Sequence, residues 1–321
     1  MKQFLFSMFC AGALCCACSN EGDELEKHFQ ASDFIKENLA GAKQVFTCQV
    51  SDQPRTLDLG NGLTLSIPGG DVFTRDGVPI TGEYTVEVLA MLKPSAVILA
   101  GMNTNWESGY LESDGFFNVN VVQGGQDVDP VTLQFLPVSV PTEKEDGVVT
   151  LLWEGNVEDN GKFAWQEIAD TLVNTLEDFD ELAVFSSKGS FSFGFKKLGW
   201  INCDIFWEAS EKATITVALT GQVGTLANYQ GYDGDTFVFF KAKEMNVVAQ
   251  LYTGVDATTV KSYDDSMPIG REGTLIAFSI KDGEYSLASK EITVNGGLQE
   301  TLDLQPVTKE ALLAAIEALD R

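Results

Sequence analysis

Histidine and cysteine, two residues that commonly act in catalysis, are few in this sequence. Its 321 residues contain one histidine, His28, and six cysteines, of which Cys15, Cys16 and Cys18 lie within four positions. Ser-His-Asp and Cys-His groups need an imidazole beside the nucleophile, and an HExxH zinc site needs two imidazoles. Because His28 precedes the strand-rich part of the chain, none of these sites is predicted.

Carboxylates are the remaining candidates for catalysis. A glycosidase needs only two Asp or Glu side chains at a suitable separation. The chain has 47 acidic residues, so some pair will always meet that requirement by chance. We therefore predict no catalytic residues and no enzyme activity, and a carboxylate-dependent glycosidase stays as the weakest alternative.

One acidic segment resembles the calcium-binding loop of an EF-hand. Asn156-Val157-Glu158-Asp159-Asn160-Gly161 is followed by Glu167, which matches the spacing of acids, central glycine and closing glutamate. The first ligand is Asn rather than Asp, and the flanking residues alternate like strands. A β-hairpin that turns at Asn160-Gly161 explains the same residues better. We predict no metal site and no cofactor.

Trp106 is the candidate ligand-binding residue. It stands in Asn103-Thr104-Asn105-Trp106-Glu107-Ser108-Gly109-Tyr110, where an exposed indole beside amides and acids would stack on a sugar ring and bind its hydroxyls. The alternative is a tryptophan packed over the end of a β-sandwich. The sequence leaves both interpretations open.

Alternating apolar and polar residues predict the elements that would position these side chains. Leu63, Leu65 and Ile67 alternate with Thr64 and Ser66, and several other segments up to residue 306 show the same period of two. Asp76-Gly77, Asn160-Gly161 and Asp282-Gly283 are typical of tight hairpin turns. A helix is predicted before about residue 42. A second is predicted at the C-terminus, capped by Thr308, with a stripe of Leu312, Ile316 and Leu319.

The first residues have the layout of a secretory signal peptide. Lys2 is followed by an apolar run, Phe4 to Ala17, which is too short to span a bilayer as a helix. The end of this run, with its three cysteines, resembles a bacterial lipoprotein signal, in which the cysteine after a small residue is acylated. Cys18 follows Ala17 and precedes Ser19-Asn20, so we predict cleavage after residue 17 and lipidation of Cys18.

Two cysteines remain after the predicted anchor, Cys48 and Cys203. Export from the cytoplasm would allow them to form a disulfide, while separate buried thiols explain them equally well. The formal net charge of −26 disfavours nucleic acid as a partner, because phosphate binding requires Lys and Arg. The predicted partners are the membrane, through the lipid anchor, and a glycan or another envelope protein.

The predicted fold is mainly β, with two tandem β-sandwich-like domains, a short N-terminal helix and a C-terminal helix. The chain divides into a signal peptide at 1–17, an anchor stalk and helix at 18–42, domain 1 at 43–197 and domain 2 at 198–321. The second boundary is placed where Lys196-Lys197 and Leu198-Gly199-Trp200 interrupt the strand pattern. The acidic segment 171–188 is given no role.

Motifs in both domains resemble a group of uncharacterised two-domain β-rich envelope lipoproteins from Bacteroidota-type bacteria. The motifs are Leu57–Pro68, Asp76–Val88, Gly109–Phe117 and Gly199–Asp204. The resemblance implies tandem β modules behind a lipid anchor in the outer membrane, and it implies no catalytic or ligand-binding residue. In such proteins acidic residues after the lipidated cysteine favour display on the cell surface. Glu21, Asp23 and Glu24 fit that pattern, and the alternative is a position facing the periplasm.

Three functions are consistent with these features. The first is a membrane-anchored, non-catalytic binding or interaction module, with glycans as the candidate ligand. The second is a fimbria-like structural subunit that exchanges strands between copies, which the predicted C-terminal helix disfavours. The third is the glycosidase already mentioned. We expect the first.

Overall fold

A computed structural model describes residues 29–321 apart from gaps at 75–76, 107–108, 129–135, 143, 158–162, 168–172, 175–182, 196–197, 208 and 228–233. The predicted signal peptide, Cys18 and His28 lie outside the described residues. So do most of the acidic segment 171–188 and the turn Asn160-Gly161 of the calcium-like segment.

The fold is mainly β, as predicted. In the first part of the chain the described residues form these helices and strands: α1 (Ala31–Ala42), β1 (Gln44–Gln49), β2 (Arg55–Gly60), β3 (Leu63–Ile67), β4 (Val72–Phe73), β5 (Pro79–Ile80), β6 (Glu83–Met91), α2 (Pro94–Leu99), β7 (Asn105–Trp106), β8 (Gly109–Gln123), β9 (Gln126–Val128), β10 (Leu136–Pro141), β11 (Val149–Val157), β12 (Phe163–Glu167), β13 (Val173–Asn174), β14 (Ala183–Ser187), β15 (Ser190–Phe195) and β16 (Gly199–Phe206).

In the second part, the residues that the structure describes form strands and a C-terminal helix: β17 (Lys212–Ala213), β18 (Thr216–Gly221), β19 (Thr236–Ala242), β20 (Val248–Gln250), β21 (Thr253–Gly254), β22 (Thr259–Lys261), β23 (Met267–Pro268), β24 (Glu272–Lys281), β25 (Glu284–Thr293), β26 (Gln299–Val307), α3 (Lys309–Glu317) and a final 3-10 turn (Ala318–Asp320).

A long sheet that folds back on itself forms the first sandwich. Its main strand order is β1-β6-β8-β7-β12-β11-β14-β15-β10-β3-β2, and β14 is hydrogen bonded to both β11 and β15. The two halves share one core because alternate residues of each strand point inward. Leu63, Leu65 and Ile67 of β3 are buried there, as their alternation predicts, and Phe117 stacks on Phe193 with ring centroids 6.2 Å apart.

The second sandwich is built in the same way. Its eight strands follow the order β20-β19-β24-β25-β26-β18-β22-β21, and β26 pairs with both β25 and β18. Ile215, Val217 and Leu219, near and within β18, are buried in its core. The Asp282-Gly283 turn joins β24 to β25 with φ values of 53° and 80°. Positive φ at both positions is what a tight hairpin turn requires, so this prediction is confirmed.

A third core lies between the two sandwiches. Outward-facing residues of the first sheet, such as Phe116 and Trp165, are in the same buried cluster as Phe237 and Phe278 of the second. All three helices contribute to this cluster, which we call the middle core. The sandwiches are therefore held together by buried apolar surface, which is the main stabilising term in folding.

Helix α1 lies against the second sandwich. Its Phe34 is fully buried and contacts Tyr285 of β25, with ring centroids 6.2 Å apart. Just before the helix, the Phe29 carbonyl accepts a hydrogen bond of 2.8 Å from the Gly283 backbone. The helix predicted within 18–42 is thus confirmed at 31–42, but as a packed part of the fold.

Helix α3 forms as its sequence predicts. The Thr308 hydroxyl accepts a hydrogen bond from the Ala311 backbone N–H at 3.2 Å, and this cap satisfies one of the free donors of the first turn. Leu312, Ile316 and Leu319 are buried in the middle core. The C-terminal helix predicted from this stripe is confirmed.

The predicted domain boundary separates strand β16 from the two strands with which it pairs. The boundary at 197/198 assigns this strand to domain 2, yet it is hydrogen bonded to β8 and β11 of the first sheet. The change from the first sheet to the second therefore comes after Phe206. The interrupted strand pattern at residues 198–200 coincides with the start of β16 at Gly199, and it does not show which sheet that strand joins.

Candidate functional site

The two-residue strand β7 positions Trp106. It pairs with β8 at Gly109 and runs parallel to β12, where Trp106 lies opposite Trp165. A Cβ added at Gly109 would lie 2.9 Å from Trp106 Nε1, so the indole rests on this glycine. Any larger residue at position 109 would displace the ring.

Trp106 belongs to an aromatic cluster on the outer face of the first sheet. Its ring centroid is 4.8 Å from that of Phe206 and 5.9 Å from that of Trp153, and Phe206 and Trp153 meet edge to face at 5.1 Å. Trp153 is buried, whereas Trp106 and Phe206 are partly exposed. Edge and tilted contacts of this kind hold an aromatic ring in one orientation.

The polar residues before Trp106 do not face solvent, which corrects the predicted ligand-binding loop. Asn103, Thr104 and Asn105 are buried and join the two sandwiches. Asn105 Nδ2 donates to the Gln250 carbonyl at 3.0 Å, and the Gln250 backbone N–H donates to Asn105 Oδ1 at 3.0 Å. Their amide groups are thus used in contacts that no local pattern indicates, because Gln250 is 145 residues away.

A buried carboxyl group lies on the same outer face. Asp204 has no exposed surface, Asn202 Nδ2 donates to its Oδ2, and its Oδ1 has no hydrogen-bond partner. Burial raises the pKa of Asp204 well above its ordinary value, and the hydrogen bond with Ser113 opposes this rise. Nearby, Lys144 Nζ forms an ion pair of 2.7 Å with Asp114. Asp204 is not in the predicted set of site residues, since an aspartate in an alternating strand reads as solvent exposed.

A group of tyrosines lies at the contact between the sandwiches. Tyr110 is buried and stacks on Tyr263 with ring centroids 5.7 Å apart, and the hydroxyls of Tyr252 and Tyr263 are hydrogen bonded. Burial raises the pKa of Tyr110 and of Tyr252. Both phenols therefore stay neutral and contribute to packing.

Neither a metal-binding cluster nor a disulfide is found among the described residues. They contain no group of three or more His, Cys, Asp or Glu side chains placed to hold a metal ion. Strands β11 and β12, which flank the calcium-like segment, pair as an antiparallel hairpin up to Val157 and Phe163. Cys48 and Cys203 are free, buried thiols.

No helix among the described residues combines the length and the apolar character needed to cross a membrane.

Comparison with protein-family models, with curated proteins and with solved structures found no significant match for this chain.

Proposed function

We propose that this protein is a lipid-anchored envelope protein, attached through Cys18, whose folded part binds a glycan or another envelope component without catalysing a reaction. The outer membrane is the proposed location, with display on the cell surface favoured by the acids after Cys18. The sequence of the first 24 residues supports the anchor and the location.

The geometry of Trp106 supports a glycan as the ligand. Its ring is held by Phe206 and Trp153 and is still partly exposed. Within the described part of the chain its Nε1 has no acceptor, so this N–H is available to a sugar hydroxyl. A ring fixed in advance loses little conformational entropy when it stacks on a sugar, and this favours binding.

Glycan-array binding of the full-length protein tests the ligand. We expect Trp106→Ala to weaken binding at least about tenfold, which corresponds to about 1.4 kcal/mol. Trp106→Phe should weaken it less, because a smaller aromatic ring remains. Trp200→Phe is the matched control, since Trp200 is also partly exposed on this face but contacts Phe116 instead.

Glycan binding would be refuted if no glycan bound, or if the Trp106 and Trp200 variants bound equally well. Circular dichroism of each variant distinguishes lost affinity from lost structure.

Mass spectrometry of the mature amino terminus tests the anchor. We expect Cys18 as the first residue, with a mass increase from acyl chains. Leu14 as the first residue without acyl mass would show ordinary signal-peptide cleavage and would overturn the lipid anchor. That result would leave the glycan experiment unaffected.

A further inference from the structure

A cleft of about 410 Å³ opens at one end of the first sandwich, away from Trp106. It is formed where β1, β2, β3 and β6 end. Its walls combine apolar side chains, among them Val50, Ile67 and Val72, with polar ones such as Thr47 and Gln49. The volume lies in the range typical of small-molecule sites, which are mostly apolar with a few polar groups that orient the ligand.

The loop at residues 51–54 is fixed across this cleft. Ser51 and Gly70 form an isolated β-bridge, in which the Gly70 N–H donates to the Ser51 carbonyl at 2.8 Å. At Gly69 an added Cβ would lie 2.4 Å from the Asp52 carbonyl oxygen, so the loop can approach only because this residue is glycine. The cleft is therefore preformed.

Tyr84 supplies a neutral hydrogen-bond donor in the cleft. The residue is 3% exposed, and its hydroxyl has no hydrogen-bond partner among the described residues. Burial raises the pKa of Tyr84 to about 12, so the phenol keeps its proton at physiological pH. The hydroxyl is not among the fully buried polar atoms that lack a partner, so it is accessible and a ligand in the cleft can accept its hydrogen bond.

Arg55 supplies the positive charge. Its Nη1 donates to the Thr47 carbonyl at 2.5 Å and lies 3.8 Å from Cys48 Sγ. Although acids outnumber bases by 47 to 21 in this chain, Arg55 forms no ion pair with any described carboxylate. Among the described residues that line the cleft, Arg55 is the charged one.

We propose that this cleft binds a small monocarboxylate with an apolar body, whose carboxylate pairs with Arg55 and accepts the Tyr84 hydroxyl bond. One guanidinium balances one negative charge, and guanidinium and carboxylate match in geometry. The apolar side chains of the walls then cover the rest of the ligand. This site is independent of glycan binding at Trp106.

Calorimetric titration of the purified full chain with phenylacetate, and with phenylacetamide as its uncharged analogue, tests the proposal. We expect one phenylacetate per chain, and affinity for the amide at least about tenfold lower. Arg55→Gln should reduce phenylacetate affinity at least about tenfold, and Tyr84→Phe should reduce it severalfold. Arg271→Gln, the same change in the second sandwich, should have no effect.

Alkylation of Cys48 locates the ligand without any substitution. Cys48 lines the cleft and is 1% exposed, so its reaction with N-ethylmaleimide is slow and should become severalfold slower with phenylacetate bound, as followed by peptide mass spectrometry. Cys203, buried in the core of the same sandwich, is the internal control. The proposal is overturned if phenylacetate does not bind, if the amide binds equally well, or if Cys48 alkylation is unchanged at saturating phenylacetate.

Discussion

At the scale of single residues, Asp204 shows how strongly burial changes an ordinary side chain. A carboxylate in an apolar interior is stable only if it is paired or protonated. Asp204 Oδ2 accepts a hydrogen bond from Asn202 Nδ2, while its Oδ1 has no partner. Its raised pKa means that the folded protein favours the neutral acid over a wider pH range than the unfolded chain does.

Asp204→Asn is expected to change how stability depends on pH. With a raised folded-state pKa, the contribution of Asp204 to stability is fully present below its unfolded pKa, near 3.8, and is lost as pH rises toward the folded pKa. The asparagine variant has no such loss. Relative to the unsubstituted protein, its free energy of unfolding in urea should therefore increase from pH 4 to pH 7.

Asp256→Asn provides a control of opposite sign. Asp256 is exposed, and hydrogen bonds from Thr258 and Thr259 lower its pKa. Its contribution to stability is present above the unfolded pKa, near 3.8, and is lost as pH falls below it. This variant should therefore lose relative stability from about pH 2 to about pH 5 and change little above that. Equal pH trends in the two variants would contradict the neutral state of Asp204.

At the scale of elements, two glycines show that the same residue type has different roles. Gly41 lies in α1, which continues one residue further to Ala42, and nothing lies within 4 Å of an added Cβ there. Gly69 lies after β3, where an added Cβ would meet backbone atoms of Asp52. Position 41 can therefore carry a larger residue. Position 69 requires glycine, because two chain segments approach closely there.

Gly41→Ala should stabilise the protein by about 0.5–1 kcal/mol, because alanine loses less conformational entropy in a helix. Gly69→Ala should destabilise it by about 1–3 kcal/mol, because the loop at 51–54 must move away. Thermal and urea unfolding of both variants measure the two changes. Equal effects would show that the approach of Asp52 to Gly69 does not constrain the fold.

At the scale of the whole molecule, the middle core makes the two sandwiches depend on each other. Phe116 of the first sheet and Phe278 of the second are buried in one cluster. A contact of this kind differs from a polar interface between independently moving domains. We therefore expect both sandwiches to unfold in a single transition.

Phe116→Ala tests this coupling. Removal of a buried phenylalanine typically costs about 3–5 kcal/mol. All five tryptophans lie between residues 106 and 207, so their fluorescence reports on the first sandwich and its junction. Hydrogen exchange at Ile276 and Phe278 reports on β24 of the second. The free energy of unfolding measured by fluorescence and that measured by hydrogen exchange should fall by the same amount. Unchanged protection of β24 would show that the sandwiches unfold separately.

Local patterns in the sequence predicted the first and last helices and several of the longer strands, although α2 was not predicted. Period-two alternation determines which face of β3 is buried, because successive side chains of a strand point to opposite sides. The Thr308 cap and the Asp282-Gly283 turn depend on dihedral angles and hydrogen bonds within a few residues. The net charge and the single histidine are also read directly from the sequence. So is the leader up to Cys18, on which the proposed anchor is based.

Only the tertiary structure decided which elements and side chains meet. Strand β16 could have joined either sheet, and Asn105 became an internal contact because Gln250 lies opposite it. Tyr84 and Arg55 line one cleft through strands about thirty residues apart. Such contacts depend on packing between distant segments, and a sequence pattern contains only the preferences of neighbouring residues.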